Sequence, residues 1–436
     1  MEQPSVFTKL VRGAGVALTL KIISQGVLYC SEILLARWMG TSAYGIYNYG
    51  ISLGLLLGFI AGFGLPTVVL RFVSAYKIQE DWSHLKGILQ GAWQQTLLIG
   101  IIVSFVSTGI LLWINSNHDL GAYFIPLIVG VWTTPSVSLK NLQKESIRAF
   151  QKIILSYGPS LVLQPILLVV LASIWQGWQA LTSTTALFLS LLAMLLSLAL
   201  QWLVFQQNLD SNIRNAKPTY ENTRWWQTAL PLMLFSGAFM VLSQTDTLMI
   251  GVLLNAQKVG IYNAALKTSA WVNFILLAVN AISAPLIASL YAEGNRQSLQ
   301  QLISTISRWM FYPALITGIG LISFSGPILQ LFGPEFITAK WILIIFVLGE
   351  LVNVGVGPVG YLMTMTGHQN QSAMVMGVSA LMNVILNFIG IYFWGILGAA
   401  IATALTMVMW NIWLYVLVVQ QLGVRPSILD AFRTES

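Results

Sequence analysis

Residues 88–113 read ILQGAWQQTLLIGIIVSFVSTGILLW, a stretch that contains no charged side chain. A transmembrane α-helix needs about 20 consecutive and mainly apolar residues, so this stretch predicts a helix that crosses a lipid bilayer. Eleven further stretches have comparable length and composition. The twelve predicted spans are residues 14–38, 45–69, 88–113, 122–139, 153–175, 181–205, 226–254, 260–290, 309–332, 341–366, 372–393 and 397–420.

The composition of the whole chain agrees with these spans. Hydrophobic residues make up 56% of the 436 residues and charged residues only 8%, whereas a soluble domain contains about 25% charged residues. The sequence therefore predicts an all-α polytopic membrane protein of about twelve transmembrane helices. The basic residues are scattered between spans and not in a dense run with aromatics, which excludes a nucleic-acid partner.

The distribution of Lys and Arg predicts how the chain is oriented in the membrane. Cytoplasmic loops retain basic residues, and with a cytoplasmic N-terminus the cytoplasmic flanks hold sixteen of them, whereas the opposite loops hold only Lys258 and Lys340. We therefore expect both termini to face the cytoplasm. The sixteen residues are Lys9, Arg12, Arg71, Lys77, Lys86, Lys140, Lys144, Arg148, Lys152, Arg214, Lys217, Arg224, Arg296, Arg308, Arg425 and Arg433.

A short internal repeat predicts that the chain has two similar halves. Gly45-Ile46-Tyr47-Asn48 opens the second predicted span, and Gly260-Ile261-Tyr262-Asn263 opens the eighth. Since six spans separate the copies, the halves have the same orientation and are related by an axis along the membrane normal. We expect an N-terminal six-helix lobe at 1–205, a polar cytoplasmic linker at 206–225 and a C-terminal six-helix lobe at 226–436, around a central cavity.

Several motifs resemble one transporter family over nearly the whole chain. The motifs are Leu-Leu-Ala-Arg-Trp-Met-Gly at 34–40, Tyr-Gly-Ile-Tyr at 44–47, Arg-Ala-Phe-Gln at 148–151, Asp-Thr-Leu-Met-Ile-Gly at 246–251, Val-Gly-Ile-Tyr-Asn-Ala-Ala at 259–265 and Gly-Ile-Leu-Gly-Ala-Ala at 395–400. Together they are similar to the polysaccharide-transporter (oligosaccharide flippase) branch of the multidrug/oligosaccharidyl-lipid/polysaccharide (MOP) exporter superfamily.

This resemblance implies a function and a location. It implies a flippase that moves undecaprenyl-diphosphate-linked oligosaccharide from the cytoplasmic to the outer leaflet of a bacterial inner membrane, by alternating access, for cell-surface polysaccharide synthesis. The implied partners are this substrate, membrane lipid and the polysaccharide polymerase machinery. We expect a transporter that is not an enzyme, because no catalytic motif is visible and the outer loops are short.

Five basic residues in or beside the spans are candidates to bind the substrate diphosphate. They are Lys21, Arg37, Arg71, Arg148 and Lys267. Charges inside a membrane usually face a cavity or a partner, and cations in a low-dielectric cavity attract phosphate strongly. Plainer explanations remain open, because Lys21 and Lys267 can snorkel to the interface and Arg71 and Arg148 can serve only as cytoplasmic positive charge.

Oxygen-bearing side chains of three spans predict a coupling-ion site. Asp246 lies near the outer end of the seventh span, Asn383 and Asn387 lie on one face of the eleventh, and Thr403 lies at similar depth in the twelfth. We expect these residues to hold sodium, or Asp246 to carry a proton, and we expect no other metal or cofactor. The alternative is that Asn and Thr hold the helices together while Asp246 packs against a donor.

Two further features have a gating or a structural interpretation. Glu32 lies five residues before Arg37 and can pair with it, and this gating or structural pair is the alternative to substrate contact by Arg37. The tenth span contains Gly357 and Pro358, which indicate either a bend that moves during transport or close helix packing through small residues.

Two other functions stay open at this point. The first is a multidrug or organic-cation antiporter of the same superfamily, which would need an acidic cavity, whereas Lys21 and Lys267 make it basic. The second is a membrane scaffold of a glycan assembly complex that transports nothing, for which charges inside the spans would have no use.

Overall fold

The computed structural model describes the backbone of residues 6–433. Side chains are described from residue 19 onward, apart from those at 234–235, 277–278, 281–282, 285 and 432–433. Three of the sixteen cytoplasmic basic residues, Lys9, Arg12 and Arg433, therefore lie outside the described side chains, as do both chain ends whose location was predicted.

Helices account for nearly all of the described backbone. The α-helices are α1 Val6–Gly62, α2 Leu65–Ile78, α3 Trp82–Asn117, α4 Phe124–Trp132, α5 Thr134–Ala149, α6 Ile153–Gly158, α7 Gln164–Gln176, α8 Ser183–Gln207, α9 Ser211–Asn215, α10 Asn222–Leu253, α11 Ala256–Ala292, α12 Arg296–Ser323, α13 Ser325–Gln330, α14 Lys340–Val356, α15 Val359–Met365, α16 Gln369–Leu422 and α17 Ile428–Arg433.

Two of these helices each combine two predicted spans. Helix α1 continues through Gly40 and helix α16 continues through Gly395, and both glycines adopt a positive φ, 73° and 58° respectively. Glycine tolerates this conformation because it has no Cβ, so the chain bends there without a loop. The two arms of α16 on either side of Gly395 contain 54 residues and have a combined length of about 80 Å at 1.5 Å per residue, more than twice the thickness of the hydrocarbon core.

Within the described part of the chain, eight helical segments are long and apolar enough to cross a membrane. They are Thr19–Gly62, Trp82–Asn117, Gly121–Ala149, Ile153–Gln176, Ser183–Gln207, Ser236–Leu253, Pro334–Val356 and Gln369–Leu422. The prediction of an all-α, multi-pass membrane protein is confirmed. The exact count of twelve spans is not, because the long kinked helices can each cross more than once.

The chain packs into two compact units. The first unit is Thr19–Met240, and the second is Val241–Ser436 together with Met1–Leu18. The change from one unit to the other falls inside α10. These units are defined by which residues pack together, whereas the two lobes were predicted from a sequence repeat. The units therefore do not test the predicted lobes or the linker at 206–225, which stay predictions.

Within the first unit, the segment 206–225 packs against the start of α3. The amide of Thr219 donates to the carbonyl of Ser83 at 3.0 Å, and Lys86 Nζ donates to the carbonyls of Arg214 and Ala216 at 2.6 and 2.9 Å. Gly87 lies so close to the Thr219 backbone that a Cβ there would collide with it.

Within the second unit, the two arms of α16 approach each other closely next to the bend. A Cβ at Gly398 would collide with the carbonyl of Gly390, and a Cβ at Gly390 would meet the backbone of Gly398 at 2.6 Å. Small residues permit this approach, as in other membrane helix pairs. The contact aligns Asn387, on the arm before the bend, with Thr403 on the arm after it.

Candidate functional site

Asp246 is a buried carboxylate on α10 with donors from two other helices. Its side chain is 2% exposed. The Tyr262 hydroxyl on α11 donates to Oδ2 at 2.5 Å, and the Thr403 hydroxyl on α16 donates to the same oxygen at 3.4 Å. Three helices of the second unit thus meet at one carboxylate.

The amides of Asn383 and Asn387 extend this polar group along α16. Asn387 Nδ2 donates to the carbonyl of Asn383 at 3.1 Å and contacts Thr403 Oγ1 at 3.5 Å. Asn383 Nδ2 contacts Thr406 Oγ1 at 3.4 Å. The structure therefore connects the side chains of Asp246, Thr403 and Asn387. The Asn383 side chain bonds Thr406 instead, and Asn383 reaches Asn387 only through its backbone carbonyl.

Two acceptors of this group have no donor. The Oδ1 atoms of Asn383 and Asn387 are buried and unpaired among the described residues, and the two side chains are 1% and 0% exposed. Buried polar atoms are nearly always paired, so such exceptions need an explanation. Amide, hydroxyl and carboxylate oxygens are ligands for hard cations, and a group with one carboxylate balances one positive charge. The residues present fit sodium or a proton.

Among the described residues, no group of three or more His, Cys, Asp or Glu side chains is placed to hold a metal ion. A site for a divalent ion such as calcium usually supplies several carboxylates. The group around Asp246 differs in having a single carboxylate among neutral oxygens. Its charge therefore matches a monovalent cation better than a divalent one.

Tyr262 was missed as a site residue, although it belongs to the repeat. Its counterpart in the first unit, Tyr47, contacts Ser190 Oγ at 3.2 Å and not a carboxylate. The asparagines that follow behave alike, since Asn48 and Asn263 each donate to the carbonyl four residues earlier. The repeat thus marks the tyrosine position in both units, but its sequence does not reveal the tyrosine's partner.

The five candidate substrate-binding cations are placed differently. Lys21 is half-buried on α1 and lies within electrostatic reach of Arg148, which is exposed near the end of α5. Arg37 is exposed on α1, sixteen residues and therefore about 24 Å from Lys21 along the helix. Arg71 is exposed on α2, beside the Phe72 ring. Lys267 is half-buried on α11 in the second unit.

The described side chains of Glu32 and Arg37 do not form an ion pair with each other. Glu32 Oε2 accepts the Tyr44 hydroxyl at 2.8 Å, and Arg37 forms no ion pair in the described part of the chain. Residues three or four apart share a helix face, whereas residues five apart point about 140° away from each other, so the spacing did not favour the pair.

Gly357 and Pro358 lie at a break between α14 and α15. Gly357 has a φ of 92°, and a Cβ there would collide with the carbonyl of Pro426. The Ser307 hydroxyl donates to the same carbonyl at 2.6 Å. Both interpretations of these residues, a moving bend and close packing, stay open, and the tight contact is with the C-terminal segment.

A second polar group lies outside the candidate spans, within the first unit. It joins α2 and the start of α3 to the residues at the start of α10. The Tyr76 hydroxyl donates to Glu221 at 2.6 Å, and Arg224 donates to the same carboxylate at 3.0 Å. The Tyr76 bond and Arg224 hold the pKa of Glu221 below its ordinary value of 4.5, against an opposing effect of burial. His84 contacts Asp81 at 2.7 Å and lies 3.9 Å from Glu221. We call Tyr76, His84, Glu221 and Arg224 the connector clasp.

Two family profiles match the sequence. The profile described as "Polysaccharide biosynthesis protein" matches residues 10–291, well over half of the chain, and the profile described as "MatE" matches residues 231–389.

A characterised relative is similar over part of its length. The "Probable low-salt glycan biosynthesis flippase Agl15" of Haloferax volcanii is 29% identical over 197 residues, which cover 44% of this chain and 41% of that protein. The match thus spans about two fifths of the relative's length.

Solved structures show the same fold. The lipid II flippase MurJ in its inward closed conformation has a TM-score of 0.71 at 15% identity, covering 96% of this chain and 91% of that one. An inward-facing multidrug resistance MATE family transporter of the MOP superfamily has a TM-score of 0.68 at 14% identity, with 96% of both chains covered. At such identities the likeness establishes the fold alone.

Proposed function

Because this chain belongs to the polysaccharide biosynthesis protein family of the MOP superfamily, we propose that it is a flippase for lipid-linked oligosaccharide. Its substrate is an undecaprenyl-diphosphate-linked oligosaccharide, moved from the cytoplasmic to the outer leaflet of a bacterial inner membrane for surface polysaccharide synthesis. The observation that carries this proposal is the family match over residues 10–291. The partial similarity to a glycan biosynthesis flippase supports it.

The basic residues in and beside the spans support a substrate with an anionic headgroup. Lys21 is half-buried in a span, and among the described residues no carboxylate lies within 4.0 Å of its ammonium group. A cation so placed is costly unless it meets an anion. We expect Lys21 and Arg148 to contact the diphosphate, Arg71 to receive it, and Lys267 and Arg37 to contact it later in transport.

The polar group at Asp246 supplies a site for a coupling ion. Asp246, Asn383, Asn387 and Thr403 would hold sodium, or Asp246 would hold a proton, and the bound charge would balance the carboxylate. The ligands come from α10 and both arms of α16, so occupancy would fix their mutual placement. An ion drives alternating access only if it binds one access state more tightly than the other, and this coupling is part of the proposal.

Transport by the purified protein tests the proposal. The chain is reconstituted in liposomes with a polyprenyl-diphosphate oligosaccharide, and the fraction of sugar accessible from the opposite side is measured over time. We expect transfer that an ion gradient accelerates. If empty liposomes transfer the lipid equally well, the chain is not a flippase, and a scaffold that transports nothing becomes the better reading.

Substitution of Asp246 tests the proposed coupling to an ion. Asp246→Asn removes the charge but keeps an oxygen, so we expect the ion-stimulated part of the rate to fall at least tenfold while basal transfer persists. Asp119→Asn is the matched control, because Asp119 is exposed and accepts only a backbone amide, a bond that Asn keeps. Equal stimulation of Asp246→Asn and of the unmodified protein would remove the coupling role.

A second candidate function follows from the MatE match over residues 231–389. An organic-cation antiporter would move dyes such as ethidium against a proton or sodium gradient in the same liposomes. Cation efflux without lipid transfer would favour this function, whereas lipid transfer without efflux favours the flippase.

A further inference from the structure

The cytoplasmic half of one span is unusually polar. The candidate span Gly121–Ala149 consists of α4, which reads FIPLIVGVW, followed by α5, which reads TPSVSLKNLQKESIRA. Helix α5 thus carries Lys140, Lys144 and Arg148 within a segment that is long enough to cross the bilayer. Ionisable residues inside a span are rare and mark pathways for ions or substrates.

The three basic residues of α5 lie along one face. Their spacing is four residues, which places successive side chains one above the other on an α-helix. Arg148 lies next to the end of α5, and Lys140 lies eight residues, about 12 Å, from it along the helix at 1.5 Å per residue. The sequence assigned Lys140 to a cytoplasmic flank, but the structure places it in the interior of α5.

Lys140 is held among the helices by a neutral partner. Its Nζ donates to Oε1 of Gln164, on α7, at 3.2 Å. Among the described residues no carboxylate lies within 4.0 Å of this ammonium group. A lysine that only snorkelled would extend toward the interface, whereas this one bonds a neighbouring helix.

The group as a whole carries excess positive charge. Glu145 pairs with Arg148 at 2.9 Å and with Lys144 at 3.6 Å. Among the described residues, Lys21 and Lys140 have no carboxylate within 4.0 Å. The four cations and Glu145 together leave three positive charges. A half-buried cation without a counter-charge is costly, so an anion is the partner that Lys21 and Lys140 lack.

Gln143 adds a neutral polar group to the same stretch of α5. It is 4% exposed, and both its amide nitrogen and its amide oxygen are unpaired among the described residues. An unpaired amide inside a helix bundle is costly. It lies between Lys140 and Lys144 in sequence, where it can complete hydrogen bonds to a ligand that binds the cations.

We infer that Lys140, Lys144 and Arg148, with Lys21, form a phosphate-binding stripe that leads the lipid headgroup from the cytoplasmic end of α5 into the span. The ligand is the diphosphate ester of a polyprenyl lipid, and the inference rests on the proposed flippase function. Arg148 is the exposed first contact, and Lys140 is the innermost one. Because the cations of α5 are spaced four residues apart, the phosphate would meet the next cation before it left the previous one, and its charge would stay balanced as it moved along α5.

Binding of farnesyl diphosphate to the protein in nanodiscs of neutral lipid tests the stripe. Lys140→Gln should weaken binding about tenfold, the effect of losing one charge-assisted hydrogen bond, and Lys140→Arg should retain most of it. Lys217→Gln is the matched control, since Lys217 is an exposed lysine outside the candidate spans. Farnesol, which has no phosphate, should show no dependence on Lys140.

Three outcomes would overturn the stripe. They are unchanged diphosphate binding in both Lys140→Gln and Lys144→Gln, an equal loss of farnesol binding, and equally strong competition by phosphatidylglycerol, which would indicate a general site for anionic membrane lipids. Thermal unfolding of each variant identifies any loss of binding that comes from misfolding. If Lys140→Gln misfolds, the folded Lys140→Arg variant tests the stripe, because it should still bind the diphosphate.

The stripe and the flippase function fail in different ways. If the unmodified protein binds farnesyl diphosphate through Lys140 but transfers no lipid-linked sugar, the function is wrong and the anion site stands. If the unmodified protein transfers the lipid and Lys140→Gln does so with an unchanged KM and rate, the function stands and the stripe is wrong.

Discussion

The side-chain amide oxygens of Asn383 and Asn387 bear on the choice between an ion site and a simple contact between helices. If these residues only held the arms of α16 together, each amide oxygen would have a donor. Instead, both Oδ1 atoms are buried and unpaired among the described residues. The amide of Asn387 also contacts Thr403, whose hydroxyl donates to Asp246. The cost of such unpaired acceptors favours an additional ligand at this place.

Position 357 requires glycine, because its φ is positive and its neighbours leave no room for a Cβ. We predict that Gly357→Ala lowers the free energy of unfolding by about 1–3 kcal/mol, the usual cost of a non-glycine residue in a strained conformation. The added Cβ would also collide with the Pro426 carbonyl. Thermal unfolding in detergent measures the loss.

Gly360→Ala is the control for this substitution. Gly360 lies three residues later, in α15, has no positive φ and has open space where a Cβ would be. Alanine is favoured over glycine within a helix, so this variant should be as stable as the unmodified protein. Equal unfolding temperatures for the two variants would contradict the tight contact at Gly357.

At the scale of elements, α10 has a polar anchor in each of the two units. Its first turns belong to the first unit, where Arg224 and Trp225 pack at the connector clasp, and its last turns carry Asp246 in the second unit. Trp225 is fully buried, and its indole N–H donates to Tyr76 at 3.5 Å. The segment before α10 is thus packed against α2 and α3.

We predict that acid releases this segment. Since the pKa of Glu221 is lowered from 4.5 in the folded protein, its contribution is fully present above about pH 4.5 and is lost as the pH falls through the lowered value. A spin label at Lys217→Cys, in a Cys30→Ser background, should keep its mobility down to about pH 4.5, the ordinary pKa of Glu221, and become more mobile as the pH falls below it.

Two variants check that the clasp is responsible. Tyr76→Phe removes the hydroxyl that donates to Glu221, so its label should already be mobile at pH 7. Tyr220→Phe changes an exposed tyrosine and should behave like the unmodified protein. A label whose mobility is independent of both pH and Tyr76 would show that Glu221 does not hold the segment.

At the scale of the whole molecule, the basic residues predict an orientation that labelling can measure. Lys217 and Lys340 are both exposed, and the uneven distribution of Lys and Arg places them on opposite sides of the membrane. In a Cys30→Ser background, an impermeant maleimide should label Lys217→Cys only from the cytoplasmic side and Lys340→Cys only from the outer side. Labelling of both from one side would refute the orientation.

The sequence by itself determined the membrane class, the approximate span positions and the family. These depend on long apolar stretches and short motifs, which are local properties of the chain, and a bilayer requires helices wherever such stretches occur. The set Asp246, Asn383, Asn387 and Thr403 was also predicted from sequence, because helix periodicity and depth can be counted along each span, and its role as an ion site stays a prediction.

Only the tertiary structure decided which side chains meet. Tyr262 bonds Asp246, Glu32 bonds Tyr44 and not Arg37, and Lys140 lies inside a span beside Gln164. Each of these contacts joins different helices or different turns, and its geometry depends on how far two helices are rotated and shifted against each other. Composition and periodicity specify the face of one helix, but packing between helices selects the partner.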